Sequence, residues 1–355
     1  MTSTIASNQL NHQDGPFDEI NSYVTGIISL IGNVALIYAT TRVKVYSSSF
    51  RRVQYYVCAL RIAFSLVVAL TSPTLVYVAK MKSLYIVKGG IPLPFSVGTI
   101  FLILFIFFVV ISCCSPTVQY LQLCHLLSDN GHKHEQFGPI ISLISVLTGI
   151  PALALAAIGY LPTTQELYDS REIVYYLNGQ GDSPFLIVTV RKRLNPYTGE
   201  HVADWTAGIC TFYILTIMVL SIITVIVSNV YIQYQLKKKM MSPSAKSSQN
   251  QVNLILALQF SLPFLTIHVP FYVSFILPMF DMENNFLSAN LPYLFSWCPA
   301  INPILVLCLV KVRKTMNRAL PEYSENHDES KKRKMTFAEG RLLKSSDREE
   351  VKNRQ

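Results

Sequence analysis

The long apolar stretches of this chain contain no aspartate and no glutamate, and the segments between them on one side contain no cysteine. Charge is scarce overall, at 14% of 355 residues, where a soluble domain carries about 25%. The deficit comes from clustering: apolar blocks alternate with short polar segments, and about 20 apolar residues make one helical crossing of a bilayer. Seven such blocks are present, near 21–41, 53–79, 94–120, 138–161, 206–235, 251–280 and 286–310. Strict alternation, the mark of a membrane barrel, is missing from "FLILFIFFVVI" (101–111). Since lipid offers the backbone no partners, the blocks are predicted to be helices. The fold class expected is an all-α membrane bundle of seven spans.

Other absences narrow the function. Ion-coupled transporters and proton pumps rely on buried carboxylates, so a span set without acid argues against them. No H-E-x-x-H, G-x-S-x-G or intramembrane Asp pair is found, and neither catalysis nor a cofactor is expected. Cys124, His125, His132, His134 and Glu135 lie close together in "CHLLSDNGHKHEQ" (124–136), yet without the compact spacing of a metal site. No metal is expected. Before the first block, "MTSTIASNQLNHQDGPFDEI" has no Lys or Arg, unlike the basic start of a signal peptide; this block is expected to remain as the first span.

What charge there is follows the positive-inside pattern. With the N-terminus outside, 22 of the 30 Lys and Arg fall on the inner side, and nine against seven when the tail is left out. The net charge of +9 then belongs to a face near anionic lipid and not to a nucleic-acid surface. The seven cysteines (Cys58, Cys113, Cys114, Cys124, Cys210, Cys298 and Cys308) sit in spans or at their inner ends. A disulfide framework, which needs an oxidising compartment, is therefore not expected; Cys124 is a candidate for lipidation.

The domain reading is an outer tail over 1–20, a seven-span domain over 21–310 with a large outer loop at 162–205, an interfacial helix over 311–320 and a disordered inner tail over 321–355. In 311–320, Val312, Met316 and Leu320 share one face of a basic segment. Strand-like alternation in "FLIVTV" (185–190) is expected to form a hairpin over the bundle. Prolines recur within the predicted spans at 73, 116, 151, 263, 270, 299 and 303. Each removes a backbone donor and bends its helix. Pro263, Pro270, Pro299 and Pro303, with Asn302 beside them, are expected to act as hinges, Asn302 donating to carbonyls that the prolines free. His268, Phe271, Tyr272 and Phe275 recur at helical spacing, as do Asn290, Tyr293 and Trp297. They are expected to line an apolar cavity with a few polar contacts. Arg61 is the lone charge well inside a span, expected to snorkel inwards or to pair with polar groups.

Four segments, in order, resemble the nematode serpentine chemoreceptors of the Str superfamily, a group of G-protein-coupled receptors. They are "GNVALIYATTR" (32–42), the loop from "PTTQELYDSREIVYYL" (162–177) to Asp204-Trp205, "QVNLILALQFSLPF" (251–264) and "SWCPAINPILVLCLVKVRK" (296–314). The resemblance covers about 20 to 320 and implies a small, mainly apolar odorant as ligand and a heterotrimeric G protein as partner. It also implies a plasma-membrane site, in sensory neurons or their cilia. Coupling would then involve Gln119, Tyr120, Lys237, Lys238, Lys239, Lys311, Arg313 and Lys314. The sequence departs from the family in carrying Gln119 where Arg is usual, Asn302 where Asp is usual, and no cysteine for the usual receptor disulfide. A transporter, a channel, or a receptor-like protein that no longer couples are the alternatives.

Overall fold

A computed structural model describes residues 15–42, 48–78, 83–128, 136–178, 182–188, 191–194, 201–238, 243–277 and 290–309. The spans are α1 (Gly15–Arg42), α2 (Ser48–Thr71), α3 (Phe95–Leu127), α4 (Phe137–Gly159) and α6 (Thr206–Lys238). The sixth is composite: α7 (Pro243–Pro263), a π-helical turn (Phe264–His268) and α8 (Val269–Ile276). The seventh, α9, is Asn290–Leu309, and all seven are long and apolar enough to cross a membrane. Two compact units are distinguished, Met1–Val306 and Leu307–Gln355, and the described part of the second is the end of α9. The expected interfacial helix at 311–320 and the tail lie outside the described residues, as do Lys239, Lys311, Arg313 and Lys314.

Large apolar side chains remain exposed along the outward faces, among them Ile27 and Ile31 on α1, Leu143 and Leu147 on α4, and Phe212 and Val230 on α6. An apolar belt of this extent belongs in lipid, because water would drive its association. Inside, Phe105 of α3 meets Phe64 of α2 at 6.1 Å between centroids and Phe295 of α9, edge to face, at 5.6 Å. α4 packs closely on α3 at Gly149, where a Cβ would stand 2.7 Å from Ile111 Cδ1 and from Phe107 Cε2.

The second span is displaced from its predicted place at 53–79. α2 starts at Ser48 and ends at Thr71, because Ser72 turns left-handed (φ 35°) and its N–H closes on Val68 O at 2.7 Å. Pro73 enforces the break, since a residue before proline avoids the helical region. Pro73 is thus no kink: it opens strand β1 (Pro73–Val78), which pairs antiparallel with β2 (Ser83–Lys88). This hairpin has no counterpart in the sequence reading, which assigned 73–79 to helix.

The large loop contributes α5 (Thr164–Asn178) and β3 (Phe185–Ile187), and β3 joins β2 antiparallel in the order β1-β2-β3. "FLIVTV" therefore completes a sheet shared by two loops, and the loop's own hairpin is β4 (Arg191–Leu194) with β5 (His201–Asp204). All three residues of β3 are buried, because both faces of the sheet are covered. Tyr85, Val87, Phe185 and Ile187 pack with Val174 of α5. Leu75, Ile86, Leu186 and Val188 enter the helix core instead. α5 is started by a capping box: Thr163 N–H donates to Glu166 Oε2 at 2.7 Å, and Glu166 N–H to Thr163 Oγ1 at 3.3 Å. The bundle thus has a sheet-covered end and an opposite end.

Candidate ligand chamber and polar core

At the sheet-covered end, one core joins α2, α3, α4, α6, α9 and the sixth span to the sheet. Ile267, Phe271, Leu291 and Phe295 share it with Leu186 and Val188. The π-turn carries His268 into this core, fully buried, with Val269 N–H reaching back five residues to Phe264 O. Proline at 263 and at 270 removes backbone donors on either side of that turn, the local condition under which one extra residue is accommodated.

His268, Phe271 and Tyr272 are brought together as their spacing predicts; the His268 and Tyr272 rings lie 6.1 Å apart. Among the described residues, neither His268 ring nitrogen nor the Tyr272 hydroxyl has a hydrogen-bond partner. The backbone of Cys113 approaches His268 without hydrogen-bond geometry. The side chain of Phe275 lies outside the description. Asn290 and Tyr293 are half-buried on α9, and Trp297 turns to α1, its indole N–H donating to Asn21 Oδ1 at 3.0 Å.

The sheet is fastened at one point by hydroxyls. Tyr160 Oη lies 2.9 Å from Thr211 Oγ1, which is itself 2.9 Å from Val188 O, while Ile187 N–H donates to Tyr160 O at 3.0 Å. A cavity of about 230 Å³ is lined by Lys88, Phe95, Asp182 and Pro184 among others. Lys88 is buried there, its ammonium donating to the carbonyls of Gly89 and Ile91. Burial holds its pKa below the ordinary lysine range, partly offset by the Glu19 carboxylate. Thr211→Val keeps the shape of the side chain and removes its hydroxyl. At about 1 kcal/mol per buried hydrogen bond, amide exchange over 185–188 should speed up roughly five-fold while the helices stay protected; unchanged exchange would show that the fastening is immaterial.

Deeper in the bundle, three of the carbonyls that prolines free are met by side chains. Pro303 cannot donate to Pro299 O, and Ser29 Oγ of α1 does so at 3.2 Å, with Asn33 Nδ2 at 3.4 Å. Ser65 of α2 supports Ser29 at 2.6 Å. Pro263 likewise leaves Gln259 O free, and Asn302 Nδ2 of α9 donates to it at 3.4 Å. In α3 the carbonyl freed by Pro116 is that of Ser112, and Ser115 Oγ donates to it at 3.0 Å. Asn302 thus makes the kind of contact expected of it, to a carbonyl on another helix. The α1 donors were not anticipated, although a serine and an asparagine four residues apart within "SLIGN" are an unusual polar pair for an apolar face.

At the opposite end, Tyr120 is buried with Leu123, Leu127, Val225, Ile232, Leu236, Val252 and Leu256. Gln119, 1% exposed, donates from Nε2 to Gln54 Oε1 of α2 at 3.0 Å. Lys237 and Lys238 end α6 in the open, Lys238 over the Tyr234 ring. His125 stacks on Phe137 at 3.9 Å and Cys124 Sγ turns to Ser228 O; His132, His134 and Glu135 lie outside the described residues. All seven cysteines are free. Among the described residues no group of His, Cys, Asp or Glu has the arrangement of a metal site.

The family model described as serpentine type 7TM GPCR chemoreceptor Str matches residues 18–316. The chain belongs to this family. No curated protein sequence matches it. As a Str chemoreceptor it is a multi-pass membrane protein of a receptor family. The match takes in α1 to α9, including the Ser29–Asn33 pair and the π-turn, so the polar contacts described above fall within the Str receptor domain.

Proposed function

We propose that this Str chemoreceptor sits in the plasma membrane with its N-terminus and sheet outside, binds a small, mainly apolar odorant and signals to a heterotrimeric G protein. A sensory neuron, or its cilium, is the natural site for such a protein. The odorant would enter between the sheet-side halves of α3, α6, the sixth span and α9. The single observation carrying this reading is the set His268, Phe271 and Tyr272: an aromatic wall, buried at His268 and Phe271 and half-buried at Tyr272, whose ring nitrogens and hydroxyl have no hydrogen-bond partner among the described residues. Buried polar groups are seldom left so, and a ligand with one acceptor or donor on an apolar body would complete them.

A ligand shifts the bundle only by favouring one arrangement over another. The π-turn and its flanking prolines give the sixth span a locally weak ladder, directly under His268. Movement there would be passed through Asn302 to α9 and would part α7 from α3 around Tyr120, uncovering Gln119, Lys237 and Lys238 for the G protein. Lys239, Lys311, Arg313 and Lys314, outside the described residues, would belong to the same surface. Pro263, Pro270, Pro299 and Pro303 are the hinges of this scheme.

An odorant panel on cells expressing the full-length chain with a calcium or cyclic-nucleotide reporter tests it. For an active odorant, His268→Ala should shift potency about ten-fold, the worth of one hydrogen bond near 1.4 kcal/mol, without changing surface amount. An unshifted dose–response would assign His268 to packing. Pro303→Ala should alter signalling while surface expression is kept; an unaltered response would remove that hinge. The Gln119–Gln54 pair favours one further reading, a receptor that binds odorant without coupling. Ligand-dependent stabilisation without any reporter signal would identify it, and an ion current independent of G protein would identify a channel.

A further inference from the structure

Arg61 lies thirteen residues beyond the start of α2, about 20 Å along the helix axis at 1.5 Å per residue. The predicted span, starting at 53, had left it close enough to an end to snorkel; the observed helix places it mid-bundle. Its side chain is 6% exposed, and its guanidinium makes no hydrogen bond to any described residue, with Nη1 fully enclosed. An arginine keeps its proton in proteins, and a buried charge is ordinarily paired. No carboxylate among the described residues of the spans is placed to do so. α2, α3, α4, α6, α7, α8 and α9 contain no Asp or Glu, and those of α1, Asp18 and Glu19, sit at its sheet-side start. The ionisable groups within electrostatic reach of Arg61 are the thiols of Cys58 and Cys298.

The surroundings supply neutral amides and no opposite charge. Asn302 stands one turn from Cys298 on α9 and holds Gln259 O; among the described residues its own Oδ1 and both the amide nitrogen and oxygen of Gln259, 2% exposed, have no partner. We propose that Arg61 binds a small monovalent anion, a halide or the carboxylate of a ligand, at the level of Cys298 in the middle of the bundle. A guanidinium whose N–H groups are unpartnered among the described residues, in a core that also holds unpartnered primary amides, is chemistry suited to such an ion. The same position in the bundle couples the ion to α2 and α9 together, so that its loss loosens both.

The test uses the full-length receptor in lipid nanodiscs, with gluconate as the reference anion at constant ionic strength. Its thermal midpoint is followed as chloride, bromide or acetate replaces gluconate. The wild type should gain about 3 °C, saturably, as expected for a ligand raised to roughly ten times its dissociation constant, while Arg61→Gln should stay flat. A gain with halide assigns a resident counter-ion, and a gain with acetate alone assigns the site to a ligand carboxylate; both support an anion site. No saturable gain with any of the three, or an equal gain in Arg61→Gln, overturns it. Should Arg61→Gln fail to fold, radiolabelled chloride and acetate on the wild type decide: about one ion of either label per receptor supports the site, and none of either refutes it.

Discussion

Replacing Ser29 and Asn33 together by alanine is expected to cost the receptor about 2 kcal/mol of stability. Both side chains are fully buried in α1 and both donate to Pro299 O, the carbonyl that Pro303 leaves unserved. The double change also removes one of the two acceptors of the Ser65 hydroxyl, which keeps its bond to Arg61 O. A buried carbonyl stripped of its donors costs about 1–3 kcal/mol, whereas hydrogen bonds between membrane helices average about 0.6 and reach about 1.7. Asn33 Oδ1 has no partner among the described residues, so its removal recovers part of the loss, which is why the expected total falls below the upper limit. Four cysteines, Cys58, Cys113, Cys210 and Cys298, are buried and free, and a thiol-reactive dye reports the temperature at which the bundle opens. The midpoint should drop by several degrees. A drop under one degree would mean that water or lipid serves Pro299 O as well as α1 does.

Gly149→Leu should be more damaging. The Cβ alone would stand 2.7 Å from Ile111 Cδ1 and Phe107 Cε2, and 2.9 Å from Ile111 Cγ1. Those atoms end flexible side chains, so Gly149→Ala is expected to be accommodated by small rotations. Leucine adds three further carbons to a contact already closed, and overpacking of this kind costs about 3 kcal/mol. α4 must then move off α3, which also carries Phe105 and the inward face of the chamber. Surface amount should fall about ten-fold or more for Gly149→Leu and remain near wild type for Gly149→Ala. Equal surface amounts for the two would show that α4 yields freely.

The seven helices could be read from the sequence because a lipid solvent leaves one simple rule, length of apolar run, and the wall residues His268, Phe271 and Tyr272 because helical spacing puts them on one face. The misplacement at 73–79 has a definite cause. "PTLVYV" is as apolar as a span, and only its β-branched residues and the Ser-Pro break at 72–73 distinguish a strand from the end of a helix. The capping box at Thr163–Glu166 was a legible signal for α5, within a segment treated as loop. Nothing local in "FLIVTV" could indicate that β3 pairs with β2 a hundred residues away, since pairing between loops is a tertiary choice. The π-turn was equally hidden: prolines at 263 and 270 announce weakness in the ladder but not how the backbone resolves it. Asn302 was recognised as a donor to a freed carbonyl, but Ser29 and Asn33 were not, because their acceptor lies some 270 positions along the chain.

The claim beneath this account is that side chains from one helix serve the carbonyls that proline frees in the next, α1 for α9 and α9 for the sixth span. A double-mutant cycle tests it most directly. In a Pro303→Ala background, residue 303 regains an N–H for Pro299 O, so changing Ser29 and Asn33 to alanine should lower the thermal midpoint by less than half of what it does beside Pro303. An equal drop in both backgrounds would mean that α1 and Pro299 O are not coupled, and the account would be wrong.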